Sequence, residues 1–170
     1  SNVIREWYHN ILSRRFKEAK ENKKTVELLI SNSCDRRLKK LYSLILSKHT
    51  LTITEYESYS DIPIIDSKQS NSNEILEILV FDYAGQAAFY QNNYSEAIIN
   101  YQKAEKLLPF MKDTFERADF LKRLGILYYR IDETLMASKY LNKAKEVFAT
   151  DGFYKINELS CRLVLAGIFS

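Results

Sequence analysis

FDYAGQAAFYQNNYSEAIINYQKAEKLLP, residues 81–109, and LKRLGILYYRIDETLMASKYLNKAKEVFA, residues 121–149, are two copies of one pattern offset by 40. Gly85 falls on Gly125, Ala97 on Ala137, Tyr101 on Leu141, Ala104 on Ala144 and Leu108 on Phe148. In each copy an Ala follows the Gly by twelve residues, a bulky side chain comes four later, and a second Ala three after that. Ala97, Tyr101, Ala104 and Leu108 therefore share one stripe of a 3.6-residue helix. Gly inside a helix costs about 1 kcal/mol relative to Ala. Its recurrence at Gly85, Gly125 and Gly167 predicts a packing reason common to three units. Asn93-Tyr94-Ser95 and Asp132-Glu133-Thr134 read as turns that cap the helices carrying Ala97 and Ala137. Asp151-Gly152 closes the second unit.

The pattern resembles the tetratricopeptide (TPR) repeat, in which small residues let paired helices approach closely. The spacing here is 40 and then 42 residues, against about 34 in a plain TPR. The surplus falls around Pro109 to Glu116, which predicts longer helices there. Units are expected at 74–111 and 112–151, with the first helix of a third at 156–170. A TPR helix without its partner exposes its apolar face, so Cys161, Val164, Leu165 and Ile168 are expected to lie uncovered. This suggests a piece of a longer solenoid; a homodimer through the C-terminal helix is the alternative cover.

Residues 1–58 carry three further amphipathic patterns: Val3, Ile4, Trp7, Tyr8, Ile11; Phe16, Ala19, Val26, Leu29, Ile30; and Leu38, Leu41, Tyr42, Ile45, His49, opened by a cap at Asp35. They predict a three-helix bundle, joined by a linker at 59–73 that holds Pro63 and a Ser/Asn cluster. The expected fold is thus all-α. His49 lies on the apolar stripe, four residues after Ile45, and reads as a buried, hydrogen-bonded histidine. Charge is uneven: between Arg14 and Lys40 ten Lys/Arg stand against four acids, so this segment is +6 and the remainder −3. The basic run reads as a solvated helix face supported by pairs such as Lys23–Glu27. No helix-turn-helix or aromatic-interleaved basic loop marks a nucleic-acid binder.

No apolar run approaches the roughly 20 residues of a membrane-spanning helix. Cys34 and Cys161, far apart, read as two reduced thiols of a cytoplasmic protein. With two Cys and two His at no ligand spacing, no metal site or cofactor is expected. No catalytic-triad order, P-loop or glycine-rich phosphate cradle is visible.

The bundle and the repeats together resemble the Rap family of response-regulator aspartate phosphatases and inhibitors, over the N-terminal half of those proteins. Glu6-Trp7-Tyr8, Ala19, Leu41-Tyr42-Ser43-Leu44 and Lys48-His49 carry the likeness in the bundle. Tyr94-Ser95-Glu96-Ala97-Ile98, Tyr101-Gln102-Lys103-Ala104-Glu105, and Cys161-Arg162 with Ala166-Gly167 carry it in the repeats. The resemblance implies that the bundle contacts a response regulator, and that a signalling oligopeptide binds the TPR array of a longer full-length form. It places partner-facing candidates at Tyr42, Ser43, Leu44 and Ser47. In phosphatase members a Gln on the third helix positions the water that attacks an aspartyl-phosphate. The matching position here, by its six-residue offset from His49, is Ser43, too short for that task and without an amide. Members lacking the Gln act sterically, so the resemblance implies inhibition without chemistry. An aspartyl-phosphate phosphatase and a generic TPR adaptor remain the alternatives. The +6 segment is a second departure, since Rap bundles are acidic around their second helix.

Overall fold

The computed structural model describes residues 2–57 and 74–170, whose regular secondary structure is helical. Three helices, α1 (Asn2–Leu12), α2 (Phe16–Ser31) and α3 (Arg36–Glu57), form the N-terminal part. Five follow: α4 (Glu74–Tyr90), α5 (Tyr94–Leu107), α6 (Thr114–Arg130), α7 (Thr134–Phe148) and α8 (Lys155–Phe169). No strand occurs among the described residues. The linker expected at 59–73 lies outside them.

The pairs α4–α5 and α6–α7 pack as the repeat pattern requires. Ala97, Ala104, Ala137 and Ala144 are fully buried. A β-carbon on Gly85 would stand 2.5 Å from the Tyr101 ring, and one on Gly125 would stand 2.7 Å from Leu141 Cγ. The glycines are therefore present because the bulky residue of the opposite helix fills the space a side chain would take. Gly167 differs: its β-carbon would meet only the Tyr129 hydroxyl, at 3.0 Å.

The α1–α2 corner repeats the geometry of the α4–α5 and α6–α7 corners. Arg14, Asn92 and Asp132 take left-handed φ angles of 64°, 59° and 62°. The residue after each donates its backbone N–H five residues back at 2.9 Å: Arg15 to Asn10, Asn93 to Ala88, Glu133 to Tyr128. This is the Schellman closure of a helix C-terminus. Ala19, Ala97 and Ala137 then donate to the carbonyls of Arg15, Asn93 and Glu133. In this register Trp7 occupies the place of Gly85 and Gly125.

Two expectations need correction. The surplus length between the repeats does not lengthen the helices there. α5 stops at Leu107, and a 3-10 turn, Leu108–Phe110, containing Pro109 leads into a short connector. The α6 N-terminus is then set by Asp113, whose carboxylate accepts from the N–H groups of Phe115 and Glu116, both at 2.9 Å. Proline lacks the N–H that would extend α5 and turns the chain instead. Secondly, α8 buries the face that was expected to be bare. Cys161 and Leu165 join the core formed by Ala137, Leu141, Ala144 and Phe148, with Val164 and Ile168 packed against it. The exposed side carries Ile156, Leu159 and Leu163. α8 rests on α7 and α6, so its inward stripe is taken and the next stripe round the helix faces out.

The N-terminal helices fold back onto the repeats. Leu12 at the end of α1 belongs to the same core as α6, α7 and α8. Leu44 and Leu51 of α3 share a core with Leu79, Val80, Tyr83 and Ala87 of α4.

Candidate functional site: the joint between the N-terminal helices and the repeats

α3 has two faces with different fates. Ser43 is exposed, and its hydroxyl turns back to donate to the Lys40 carbonyl at 2.8 Å. Ser47, half-buried, donates likewise to the Ser43 carbonyl at 3.0 Å. The Tyr42 hydroxyl donates to Glu27 at 3.1 Å, and partial burial together with that carboxylate pushes its pKa up to about 12. Leu44 is buried against α4. Of the four candidates, then, Tyr42, Ser43 and Ser47 are reachable to differing degrees, and Leu44 is part of the joint. His49 is buried as expected, accepting at Nδ1 from the Trp7 indole N–H at 3.1 Å.

The buried face of α3 delivers Lys48 into a cluster of charges. Its Nζ lies 3.0 Å from Asp119 Oδ2 and 3.5 Å from the Gln86 side-chain oxygen. Asp119 also pairs with Lys122 at 3.1 Å and with Arg123. Arg123 reaches across to Asp82 of α4 through Nε at 3.2 Å and through its terminal nitrogen. Asn157 of α8 donates to the Leu12 carbonyl at 3.0 Å, satisfying an end group of α1, and lies 3.5 Å from Asp119. All of these side chains are buried. Beside them the Tyr8 hydroxyl of α1 makes a short hydrogen bond to Glu116 of α6.

Burial alone would raise Asp119, but Arg123, Lys48 and Lys122 overcome it and hold the carboxyl well below its usual range. Burial would strip Arg123 of its proton, yet Asp119 and Asp82 keep it firmly charged. Lys48 is the weaker partner. Burial, with the Arg123 charge beside it, lowers its pKa to about 8 despite Asp119. Burial likewise pushes Glu116 up to about 7, against the Tyr8 hydrogen bond.

Sequence reasoning singled out Lys48-His49 as a motif without seeing that Lys48 is buried, and it missed Asp82, Asp119, Lys122 and Arg123. One signal was present. Asp119 and Arg123 interrupt the apolar positions Phe120, Leu124 and Leu127 on a helix whose first copy reads Asp82-Tyr83-Ala84. Charges on an inward face need buried partners.

No protein-family model matches the chain. Among curated proteins it is 29% identical to the type II methyltransferase M.CeqI of Rhodococcus hoagii, covering 97% of this chain and 33% of that protein. It is equally 29% identical to response regulator aspartate phosphatase H of Bacillus subtilis (strain 168), covering 96% of this chain and 46% of that one. Among solved structures, a Rap protein complexed with Competence and Sporulation Factor superposes with a TM-score of 0.82 at 25% identity, over 98% of this chain and 47% of that chain. Aspartyl phosphate phosphatase F from Bacillus subtilis superposes with a TM-score of 0.55 at 26% identity, over 99% and 47%. Along nearly its whole length the chain is similar to about half of each of these Rap-family proteins, in sequence and in fold. It spans about half the length of those relatives and a third of the methyltransferase.

Proposed function

We propose that this chain is the regulator-binding half of a Rap-like signalling protein, and that it holds a response regulator by contact, without chemistry. The homology to response-regulator phosphatases and Rap regulatory proteins along the chain supports the class. The observation that carries the mechanism is Ser43: it stands on the exposed face of α3 with a hydroxyl committed to the Lys40 carbonyl. A serine so placed offers no amide to orient a water over a partner's phosphorylated aspartate. The reachable side of α3 also carries Tyr42 and Ser47. It continues toward Arg36 and Lys40, so the docking surface is basic and suits an acidic face of the partner. In a longer form, an oligopeptide bound to further repeats would act on this surface through the joint.

The test is to mix the purified chain with its response regulator in phosphorylated and unphosphorylated states. Binding to both, with phosphate retained, is expected; Tyr42→Ala and Lys40→Glu weaken it about tenfold or more. Release of phosphate at a rate above that of the regulator alone replaces this reading with the phosphatase alternative. No binding to either state rejects both.

A further inference from the structure

We infer that the groove bounded by α1, α3, α4 and α6 is a binding site for a small apolar organic amine, whose ammonium pairs with the Glu116 carboxylate while its body lies against Ile4, Leu41, Ile45 and Leu79. The site is independent of the function proposed above, and nothing in it needs a response regulator.

The groove holds about 330 Å³, at the small end of ligand sites, which run from about 300 Å³ upward. It lies where two cores abut. Ile4 and Ile45 belong to the core around Trp7, and Leu79 belongs to the core shared by α3 and α4. These three side chains are buried, whereas Leu41 is only partly covered and Arg5 is exposed, so the groove is reachable from water. Its polar lining among the described residues is Tyr8, Glu116 and Arg5. Walls of this composition suit a ligand with an apolar body and one polar end.

Glu116 sets the character of that end. It stands in the first turn of α6, its N–H held by Asp113 at 2.9 Å. Its side chain runs to α1, where it accepts a short hydrogen bond from the Tyr8 hydroxyl. A carboxylate has two oxygens and room for about four donors, so one hydroxyl leaves capacity for an ammonium. The titratable and charged groups around it are Tyr8 and Arg5 from α1, Lys48 from α3, Asp82 and Tyr83 from α4, and Asp113 from the connector. Burial pushes Glu116 up to about 7, against its ordinary 4.5, and Asp113 and Asp82 push the same way. The Tyr8 hydrogen bond and the Lys48 charge do not overcome them, and Lys48 is already paired with Asp119 at 3.0 Å. A carboxyl so placed gains most from a cation that brings its own apolar cover. The ammonium favours the charged form, and the apolar body displaces water from Ile45 and Leu79. An anion would meet like charge, and a neutral isostere would gain the apolar contact alone. Arg5 does not reverse this preference, since its exposed guanidinium is screened by solvent.

Tryptamine is the probe, with tryptophol as its neutral match and indole-3-propionate as its anionic one, each titrated calorimetrically into the whole 170-residue chain. Expected at pH 8 is tryptamine binding about tenfold or more tighter than tryptophol, with no measurable binding of indole-3-propionate. From pH 8 to pH 6 the tryptamine affinity falls about tenfold, because binding needs the carboxylate and Glu116 takes up its proton below about 7. Tryptophol affinity stays constant over the same range. Amide shifts caused by tryptamine fall at residues 4–8, 41–45 and 79. Glu116→Gln, which keeps an acceptor for Tyr8, lowers tryptamine to the tryptophol level and abolishes the pH dependence. Leu41→Trp fills the groove and removes binding of both; if that variant loses its helical circular dichroism, Glu116→Gln decides alone. Equal affinity for all three probes marks apolar adhesion only and overturns the site. So does an amine preference that survives Glu116→Gln, and so does a chain that binds no tryptamine at any pH.

Discussion

The α1–α2 and α6–α7 hairpins turn the same corner and pack by opposite means. Both close with a left-handed residue, Arg14 or Asp132, and both bury an alanine five residues further on, Ala19 or Ala137. Seven residues before the corner, however, α6 has Gly125 and α1 has Trp7. In α6–α7 the bulk comes from the second helix, where Leu141 fills the space over Gly125. In α1–α2 the bulk comes from the first helix, and the position matching Leu141 is Lys23, partly exposed and paired with Glu27 at 3.3 Å. One corner thus supports two volume arrangements. The α1 arrangement gathers its core around a single indole shared with Ile45 of α3, and it leaves Leu28 and Leu29 of α2 exposed. The repeat arrangement ties each pair to its neighbours. The N-terminal helices depend on one anchor and on the joint, whereas the repeats pack around two cores with Leu121 and Tyr128 against both.

The sharpest way to break the contrast is Trp7→Ala. Trp7 is fully buried among Ala19, Val26 and Ile45 and holds His49, and its removal is expected to cost about 3–5 kcal/mol, read by urea denaturation followed by circular dichroism. A loss under about 1 kcal/mol would show that the indole is no anchor. Next come Ala19→Leu and Ala137→Leu as a matched pair. If the corners are equivalent, each costs about 1–3 kcal/mol through overpacking; a neutral Ala19→Leu beside a damaging Ala137→Leu would end the equivalence. Gly125→Ala comes third. Its β-carbon meets Leu141 Cγ at 2.7 Å and the Leu141 backbone nitrogen at 3.2 Å, so overpacking outweighs the helix-propensity gain by about 1 kcal/mol. The smallest effect is that of Gly167→Ala, where only the Tyr129 hydroxyl stands near. That hydroxyl can shift, and stability should change by less than about 0.5 kcal/mol.

Much of the repeat architecture was legible because it rests on local rules. Gly85, Gly125, Ala97 and Ala137 recur at fixed spacing, and a spacing that repeats with small residues in the same place has few folded meanings. The site was legible only in part. His49 is buried, as its place on the apolar stripe implied, and Ser43, picked out by the resemblance, is exposed. The resemblance placed Leu44 with Ser43 among the partner-facing candidates, but a helix turns about 100° per residue, enough to carry Leu44 into the α4 contact. Lys48 was named only with His49 as part of the resemblance, and its burial could not be read from the chain, because its partners Asp119 and Gln86 lie on distant helices.

By itself the sequence determined the helices, their corners and the repeat register, because caps, glycines and a 3.6-residue period act within a few turns of chain. Only the tertiary structure decided which faces meet. Asp82, Lys48, Asp119 and Asn157 come from four helices, α4, α3, α6 and α8. A buried charge is tolerable only when such distant partners converge on it. The same holds for α8, where periodicity marked the stripe of Cys161, Val164, Leu165 and Ile168 and only contact with α6 and α7 decided that it is buried.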